Sequence, residues 1–285
     1  VSSTKGKLYI VATPIGNLAD ITYRAVDVLK QCSVIAAEDT RQTRYLLGQY
    51  SIQTPLISLH EHNEDTLTAE LIQRVCNGDS VAVVSDAGTP LINDPGFVLV
   101  REAYKSGLLV VPIPGPCAII TALSAASLPT DRFRFEGFPP RNSSARKTFF
   151  KTLVEAEGTL VFYESCHRIA ICLSDLAEIF PPERELVIAR ELTKIHETIV
   201  KTTVIDAPRI VDDVPYMQKG EFVVLLQGAQ LNKIIRVLEP EQERMLEVIL
   251  GECSLKTAVA LVVKITGLNK KVVYDAALRI AKINS

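Results

Sequence analysis

Apolar residues in the first half of the chain fall into short runs, each closed by a cluster of Gly, Pro and small polar residues. Leu8–Ala12, Ser33–Ala37, Pro55–Leu59, Val81–Val84 and Leu108–Pro112 have the length and the Val/Ile/Leu content of buried strands. Between them, apolar residues recur three and four apart, which predicts helices. Thr22–Gln31 carries Ala25, Val28 and Leu29 on one face, and Asp65–Cys76 is stopped by Asn77-Gly78. A third helical segment includes Val98, Leu99, Val100, Ala103 and Tyr104, and Cys117–Ala126 is a fourth. Strand alternating with helix predicts a mostly parallel α/β sheet. Five strand ends open into loops: Thr13–Asp20, Glu38–Arg44, His60–Asn63, Ser85–Gly96 and Ile113–Pro116. The carboxyl edge of such a sheet is where ligands bind. In the loop Ser85–Gly96, Gly88 and Gly96 allow close backbone approach, and Pro90 and Pro95 stiffen it.

Past Pro129 the pattern changes. Asp131–Lys151 holds Arg132, Arg134, Arg141, Arg146, Lys147 and Lys151 against only Asp131 and Glu136, interleaved with five of the nine Phe. Such interleaving suits phosphate contacts with base stacking. A strand and a helix with a solvated basic face is the alternative, and either way Phe133 and Phe135 are expected in the core. Thr159–Tyr163, Leu186–Ala189, Thr198–Val204 and Gly220–Leu226 predict strands, and a helix runs from after Arg168 to Ile179. This half reads as a second α/β domain with more antiparallel character. Beyond Gly228, Glu241–Leu250 is helical, Ser254 caps a helix that Gly267 ends, and Asn269 caps a last one to Ala281. The lengths suit a helix-turn-helix, and Lys270, Lys271, Arg279 and Lys282 make its last helix basic. The expected division is 1–118, 119–228 and 235–285.

Composition narrows the picture. The 285 residues are 47% hydrophobic and 22% charged, enough for one large core or two ordinary ones. A net charge of −2 gives no global nucleic-acid signature, so any basic patch is local. None of the six Cys forms a C-x-x-C pair, and they read as reduced core residues. His60 and His62 flank Glu61 with no third ligand type nearby, so they read as solvated loop residues and no metal is expected. Val1–Lys5 shows no signal-peptide pattern, and no apolar run approaches a membrane span. A soluble, cytoplasmic protein is expected. The phosphate loop G-x-x-x-x-G-K-[ST], the elbow G-x-S-x-G and the fingerprint G-x-G-x-x-G are all absent. Several ligand-shaped loops and a basic aromatic segment fit a two-substrate transferase better than a hydrolase.

Seven motifs occur in order: Thr13–Asp20 (TPIGNLAD), Ala37–Arg41 (AEDTR), Ser85–Pro90 (SDAGTP) with Asp94–Gly96 (DPG), Ile113–Ala118 (IPGPCA), Phe162–Ser165 (FYES) with His167-Arg168, Ala189–Lys194 (ARELTK) and Gly220–Phe222 (GEF). Together they resemble the ribose-2′-O methyltransferases that act on a cytidine of 16S ribosomal RNA, a branch of the tetrapyrrole methylase superfamily. The resemblance covers about residues 7–228, and the helical tail is similar to that branch's C-terminal helix-turn-helix. It implies two α/β domains with S-adenosylmethionine in the cleft between them, and a homodimer acting on the small ribosomal subunit. By position, Pro14, Asp86, Gly88, Thr89, Ile92, Cys117, Ala118, Tyr163, Glu191 and Gly220 fall where the superfamily contacts this cofactor. Ser85-Asp86-Ala87 stands where other members read Gly-Asp-Pro, which makes Asp86 the firmest of these. Thr13-Pro-Ile-Gly16 replaces the glycine-rich first loop of the tetrapyrrole enzymes, which argues against a porphyrin-like substrate.

A ribose hydroxyl is a poor acid, so a base or an electrostatic partner would assist its attack on the methyl group. Glu38, Asp39, Glu164, His167 and His196 are candidates at the sheet edge, with Arg41, Arg168, Arg190 and Lys194 to orient phosphate or ribose. Spacing does not choose among them. RNA contacts are expected from Arg132, Arg134, Arg141, Arg146, Lys147, Lys270 and Lys271. Two other readings stay open: a methylase of another acceptor (a tetrapyrrole or a protein side chain), and a nucleic-acid-binding regulator that senses S-adenosylmethionine without consuming it.

Overall fold

The computed structural model describes residues 5–60, 63–229 and 238–283. Contacts gather the chain up to Gly228 into one unit and the C-terminal helices into another. The first sheet holds β1 (Lys7–Val11), β2 (Val34–Ala37), β3 (Leu56–Ser58), β4 (Val81–Val84) and β5 (Leu109–Ile113). Their order is β3-β2-β4-β1-β5, and every pair is parallel. β2 and β4 are buried at every position, as central strands covered on both faces must be. Alternation along β1 sends Leu8 to a core with Val34, Val81 and Leu99, and Val11 to a second core with Leu29, Ile35 and Val84.

Helices α1 (Tyr23–Gln31), α2 (Thr40–Gln49), α3 (Glu64–Cys76) and α4 (Phe97–Lys105) connect these strands. The Thr22 hydroxyl caps α1 by accepting from Ala25 N–H at 3.1 Å. Helix α2 occupies a stretch in which only a loop was expected. Its sequence TRQTRYLLGQ is too polar to show an apolar stripe, yet Asp39 caps it and Leu46 and Leu47 bury it. Glu64 has a less visible task. Its carboxylate accepts from Gly96 N–H (3.0 Å) and Val98 N–H (2.9 Å), so α3 caps the start of α4.

The second sheet follows α5 (Ala118–Ala125). It contains β6 (Phe133–Phe135), β7 (Thr159–Ser165), β8 (Glu185–Arg190), β9 (Thr198–Thr203) and β10 (Glu221–Leu226), in the order β6-β7-β10-β8-β9. Only β6 and β7 run parallel; the other pairs are antiparallel. Helix α5 lays Ile119, Ala122 and Leu123 on Val161, Val187, Val223 and Leu225. On the other face, α6 (Ser143–Lys151), α7 (Ile169–Ile179) and α8 (Ala207–Asp212) cover Leu160, Phe162, Ile188 and Val224. Phe150 is wholly buried there, but Phe133 is not the core residue that was expected. It lies on the edge strand and is 41% exposed, while Phe135 packs edge-on against Tyr163 at 4.8 Å.

In the C-terminal unit, α9 (Pro240–Glu252), α10 (Leu255–Thr266) and α11 (Lys270–Ile283) share a core of Leu246, Ala258, Val262, Val273 and Ala277. Ser254 caps α10, and Gly267 ends it in the left-handed conformation. Lys270 and Lys271 are exposed on α11; the side chain of Lys282 lies outside the described residues. Among the described residues, no helix is long and apolar enough to cross a membrane.

Candidate active site

The loops that leave β1, β4 and β5 are tied into one edge. Thr13 and Gly88 exchange backbone hydrogen bonds of 2.9 and 3.1 Å, and the Thr89 hydroxyl donates to Pro116 C=O at 3.1 Å. The Asn17 N–H reaches across to the Thr193 hydroxyl at 3.1 Å, in the loop after β8. A Cβ at Gly16 would lie 2.4 Å from Lys194 Cγ, so only glycine lets the two sheets' loops meet there.

Between these edges lies a cavity of about 360 Å³. Six of the ten expected cofactor residues line it: Gly88, Thr89, Ile92, Cys117, Ala118 and Tyr163. Two loops build its apolar walls by one device. Leu91 (φ 72°) and Asn93 (φ 68°) bracket Ile92, and Glu191 (φ 50°) and Thr193 (φ 65°) bracket Leu192. Left-handed non-glycine residues cost on the order of 1–3 kcal/mol each and persist where the surroundings over-determine them. Both pairs thrust the residue between them at the cavity.

The other expected cofactor residues act at one remove. Pro14 does not line the cavity. Asp86 faces the neighbouring strand end: its carboxylate accepts from Asp39 N–H at 2.8 Å and Gln42 Nε2 at 3.3 Å. It therefore braces the β2–α2 junction beside the cavity. Glu191 accepts from Lys194 Nζ at 2.7 Å and Glu221 N–H at 3.0 Å. A Cβ on Gly220 would meet the Glu191 side chain at 2.6 Å, so Gly220 makes room for that brace.

The sequence reading missed Ile15, Asn93, Asp94, Phe138, Leu192 and Phe222. Asp94 lies inside the quoted DPG motif, the one signal that pointed to it. Burial pushes its carboxyl above the usual carboxylate range, the nearby Asp86 adds to this, and a Ser85 hydrogen bond works against it. Burial likewise pushes the Tyr163 phenol up, helped by Cys117 and Asp94. Asp94, Glu164 and Glu221 line the cavity, and among the described residues no Lys, Arg or His does.

The five catalytic candidates are scattered. Only Glu164 touches the cavity, and it is buried with both oxygens engaged. It accepts from Arg168 Nε (2.7 Å), Arg168 Nη2 (2.8 Å) and Ser165 N–H (2.8 Å). Asp39 caps α2 and holds Arg41 through two hydrogen bonds of 3.2 and 2.9 Å; these hold its carboxyl below the usual range. Arg41 is largely exposed, Glu38 follows β2, and His167 is exposed on the turn after β7. His196 and Arg190 belong to one support: Arg190 donates to His196 C=O and Lys219 C=O.

The basic segment is corrected more sharply. Arg146 is 1% exposed. Its guanidinium pairs with buried Asp175 and donates to Pro140 C=O and Arg141 C=O, both at 3.0 Å. It has no surface to offer a phosphate. Lys147 is held by Glu178 at 2.6 Å and Asp175 at 3.3 Å, Arg134 by Glu136 at 2.8 Å, and Arg132 by Glu157 at 3.6 Å. Among the described residues, Arg141 and Lys151 are the exposed cations of this segment without a carboxylate partner. All six cysteines are free and pack in or against the hydrophobic cores, as expected, to different depths. Cys32 and Cys172 are buried, but Cys76, Cys166 and Cys253 are only half covered and Cys117 lines the cavity. Glu61 and His62 lie outside the described residues; among those described, no three side chains cluster to hold a metal.

Residues 7–208 match the model of the tetrapyrrole (corrin/porphyrin) methylases. The chain belongs to this family. Within it, the methylase is similar to proteins named ribosomal RNA small subunit methyltransferase I. That of Xylella fastidiosa is 47% identical, covering 95% of this chain and 99% of the relative. That of Pseudomonas aeruginosa is 46% identical over 96% and 97%, and that of Escherichia coli O157:H7 is 46% identical over 97% and 96%. Residues 236–281 match a second model, described as the RsmI C-terminal HTH domain. Among solved structures, uroporphyrin-III C-methyltransferase from Thermus thermophilus has a TM-score of 0.54 at 22% identity, covering 78% of this chain and 94% of its own. A cobalt precorrin-4 methyltransferase has a TM-score of 0.56 at 17% identity, with coverage of 78% and 94%. These two show that the methylase has the tetrapyrrole methylase fold.

Proposed function

We propose that this methylase transfers the methyl group of S-adenosylmethionine to a ribose 2′-oxygen of a cytidine in 16S ribosomal RNA of the small subunit. The observation that carries the donor is the cavity at the two sheet edges, which no Lys, Arg or His among the described residues lines and where Asp94 is the carboxylate not already paired with a cation. A phosphate-bearing ligand finds no partner there, whereas a ligand with a sulfonium and an ammonium does. The volume lies within the range of about 300–1,000 Å³ for small-molecule sites. Support for the acceptor comes from the relatives' shared name, at 46–47% identity over nearly the whole chain.

In this reading Ile92, Leu192, Cys117 and Ala118 hold the donor's apolar parts, and Asp94 faces its positive charge. The donor supplies an activated methyl group on a good leaving group. The protein then contributes alignment, which alone can provide a large share of a rate enhancement. Asp39 and Glu164 are committed to Arg41 and Arg168, so neither is free to take the hydroxyl proton. His167 is the candidate kept for that step, and Arg141 is a cation kept for phosphate. A homodimer at work in the cytoplasm rests on the resemblance alone.

The test is transfer of labelled methyl to small subunits from cells lacking the modification, followed by nuclease mapping of the label. Label in one cytidine ribose is the expected result. Label in a tetrapyrrole or a protein and not in RNA would overturn the acceptor, and donor binding without turnover would make the chain a sensor.

A further inference from the structure

The rim and the floor of the cavity differ. Ile15, Gly88, Leu192 and Phe222 are buried at its floor; Ile92 and Phe138 are the large apolar side chains at its rim. Phe138 is 48% exposed. Exposure of an aromatic ring is unremarkable on a mobile loop, but this loop is pinned on both sides of the ring. Tyr163 N–H donates to Gly137 C=O at 2.9 Å. Arg168 Nη2 donates to Pro139 C=O at 2.7 Å, from a guanidinium that also clamps Glu164. Buried Arg146 donates to the next two carbonyls, Pro140 and Arg141. Behind Phe138 stands the Tyr163 ring at 5.6 Å, with Phe135 beyond it at 4.8 Å. Three residues along the same pinned backbone is Arg141, exposed and without a carboxylate partner among the described residues.

A half-exposed ring on a preorganised support, at the mouth of the cavity and near an unpaired guanidinium, is a stacking platform beside a phosphate grip. We infer that Phe138 stacks on the base of the nucleotide that receives the methyl group, and that Arg141 holds a phosphate next to it. The inference rests on the proposal that the acceptor is RNA, and names the residues that present it. Arg146 and Arg168 are positioning residues for this platform.

The test compares the full-length wild type with Phe138→Ala, Phe138→Leu and Phe138→Trp. It measures labelled methyl transfer to small subunits and, separately, S-adenosylmethionine binding by calorimetry. Phe138→Ala is expected to lower kcat/KM for RNA about tenfold, within the range found for loss of base–aromatic stacking. Donor affinity should stay within about twofold, since the ring stacks on the acceptor and not on the donor. Phe138→Trp should restore transfer and Phe138→Leu should not. An equal loss of donor affinity would assign the ring to the donor's own adenine and overturn the inference, as would full activity of the Leu variant. A wild type that labels RNA alongside an unimpaired Ala variant removes Phe138 alone. A wild type that labels no RNA removes the acceptor reading, and this inference with it.

Discussion

The two walls of the cavity reach the same backbone device by different means. On the first sheet, the loop that presents Ile92 is held by hydrogen bonds without ion pairs. These are the Thr13–Gly88 backbone pair, the Thr89–Pro116 hydrogen bond and the cap that Glu64 places on the start of α4. On the second sheet, the loops that present Leu192 and Phe138 are held by charge pairs: Lys194 with Glu191 and Glu221, Arg168 with Glu164, and Arg146 with Asp175. Neutral hydrogen bonds are lost one at a time, each worth about 0.5–1.5 kcal/mol. A buried pair fails together, because the surviving partner is left charged without solvent. The second wall is therefore the more rigid and the more brittle of the two.

The largest expected effect breaks that brittle wall. Asp175→Ala strands the buried Arg146 guanidinium and should cost about 3–5 kcal/mol in a urea or thermal unfolding measurement. Arg146→Met strands the buried Asp175 carboxylate and should cost a comparable amount, whereas Arg146→Met combined with Asp175→Leu, which removes both charges, should cost far less. If Arg146→Met instead leaves stability intact but abolishes RNA binding, Arg146 contacts RNA after all and the contrast between the walls is wrong. Next in size is Asp94→Asn on the first wall. Loss of a charge-assisted contact worth about 1.5–3 kcal/mol should weaken S-adenosylmethionine binding more than tenfold while the melting temperature barely moves. Unchanged affinity in calorimetry would remove Asp94 from the donor site.

The same contrast explains what could be read in the sequence. The strands of the first sheet are uninterrupted apolar runs, and their loops are marked by Gly and Pro, so β1, β2, β4 and β5 were legible within a residue or two. Six residues that line the cavity were legible because five lie in contiguous motifs whose order matches the family and Ile92 lies between two of them. Helix α2 was not, since its buried face is two leucines and a threonine in an otherwise polar stretch. The basic segment was misjudged for a different reason. Composition counts the cations of Arg132–Lys151, but Asp175 and Glu178, which neutralise Arg146 and Lys147, lie about thirty residues away on α7. Whether a charge is a ligand or a brace depends on a tertiary neighbour that no local window contains. Phe138 and Phe133 differ in the same way: identical residue types five positions apart, one at a cavity rim and one on a sheet edge.

Smaller still should be the loss of one neutral tie. Thr89→Val removes the hydroxyl that donates to Pro116 C=O and should cost about 1 kcal/mol, with donor affinity reduced a few-fold at most. A loss as large as that for Asp175→Ala would show that the first wall is no more forgiving than the second.

The finest test is pH, and it reads Asp94 in two opposite directions. Its folded-state pKa is raised above the ordinary 3.8, chiefly by burial. In the window between 3.8 and that raised value, the free native protein holds a proton that the unfolded chain has released. Its contribution to stability is therefore full below 3.8 and is lost as pH rises through the raised value. Binding of a cationic donor requires the ionised carboxylate, so affinity should climb through the same window and level off above it. Unfolding and calorimetric titrations on one preparation should thus show opposed slopes, and Asp94→Asn should flatten both. If affinity falls with rising pH, or if the Asn variant keeps the slope, another group faces the donor's charge.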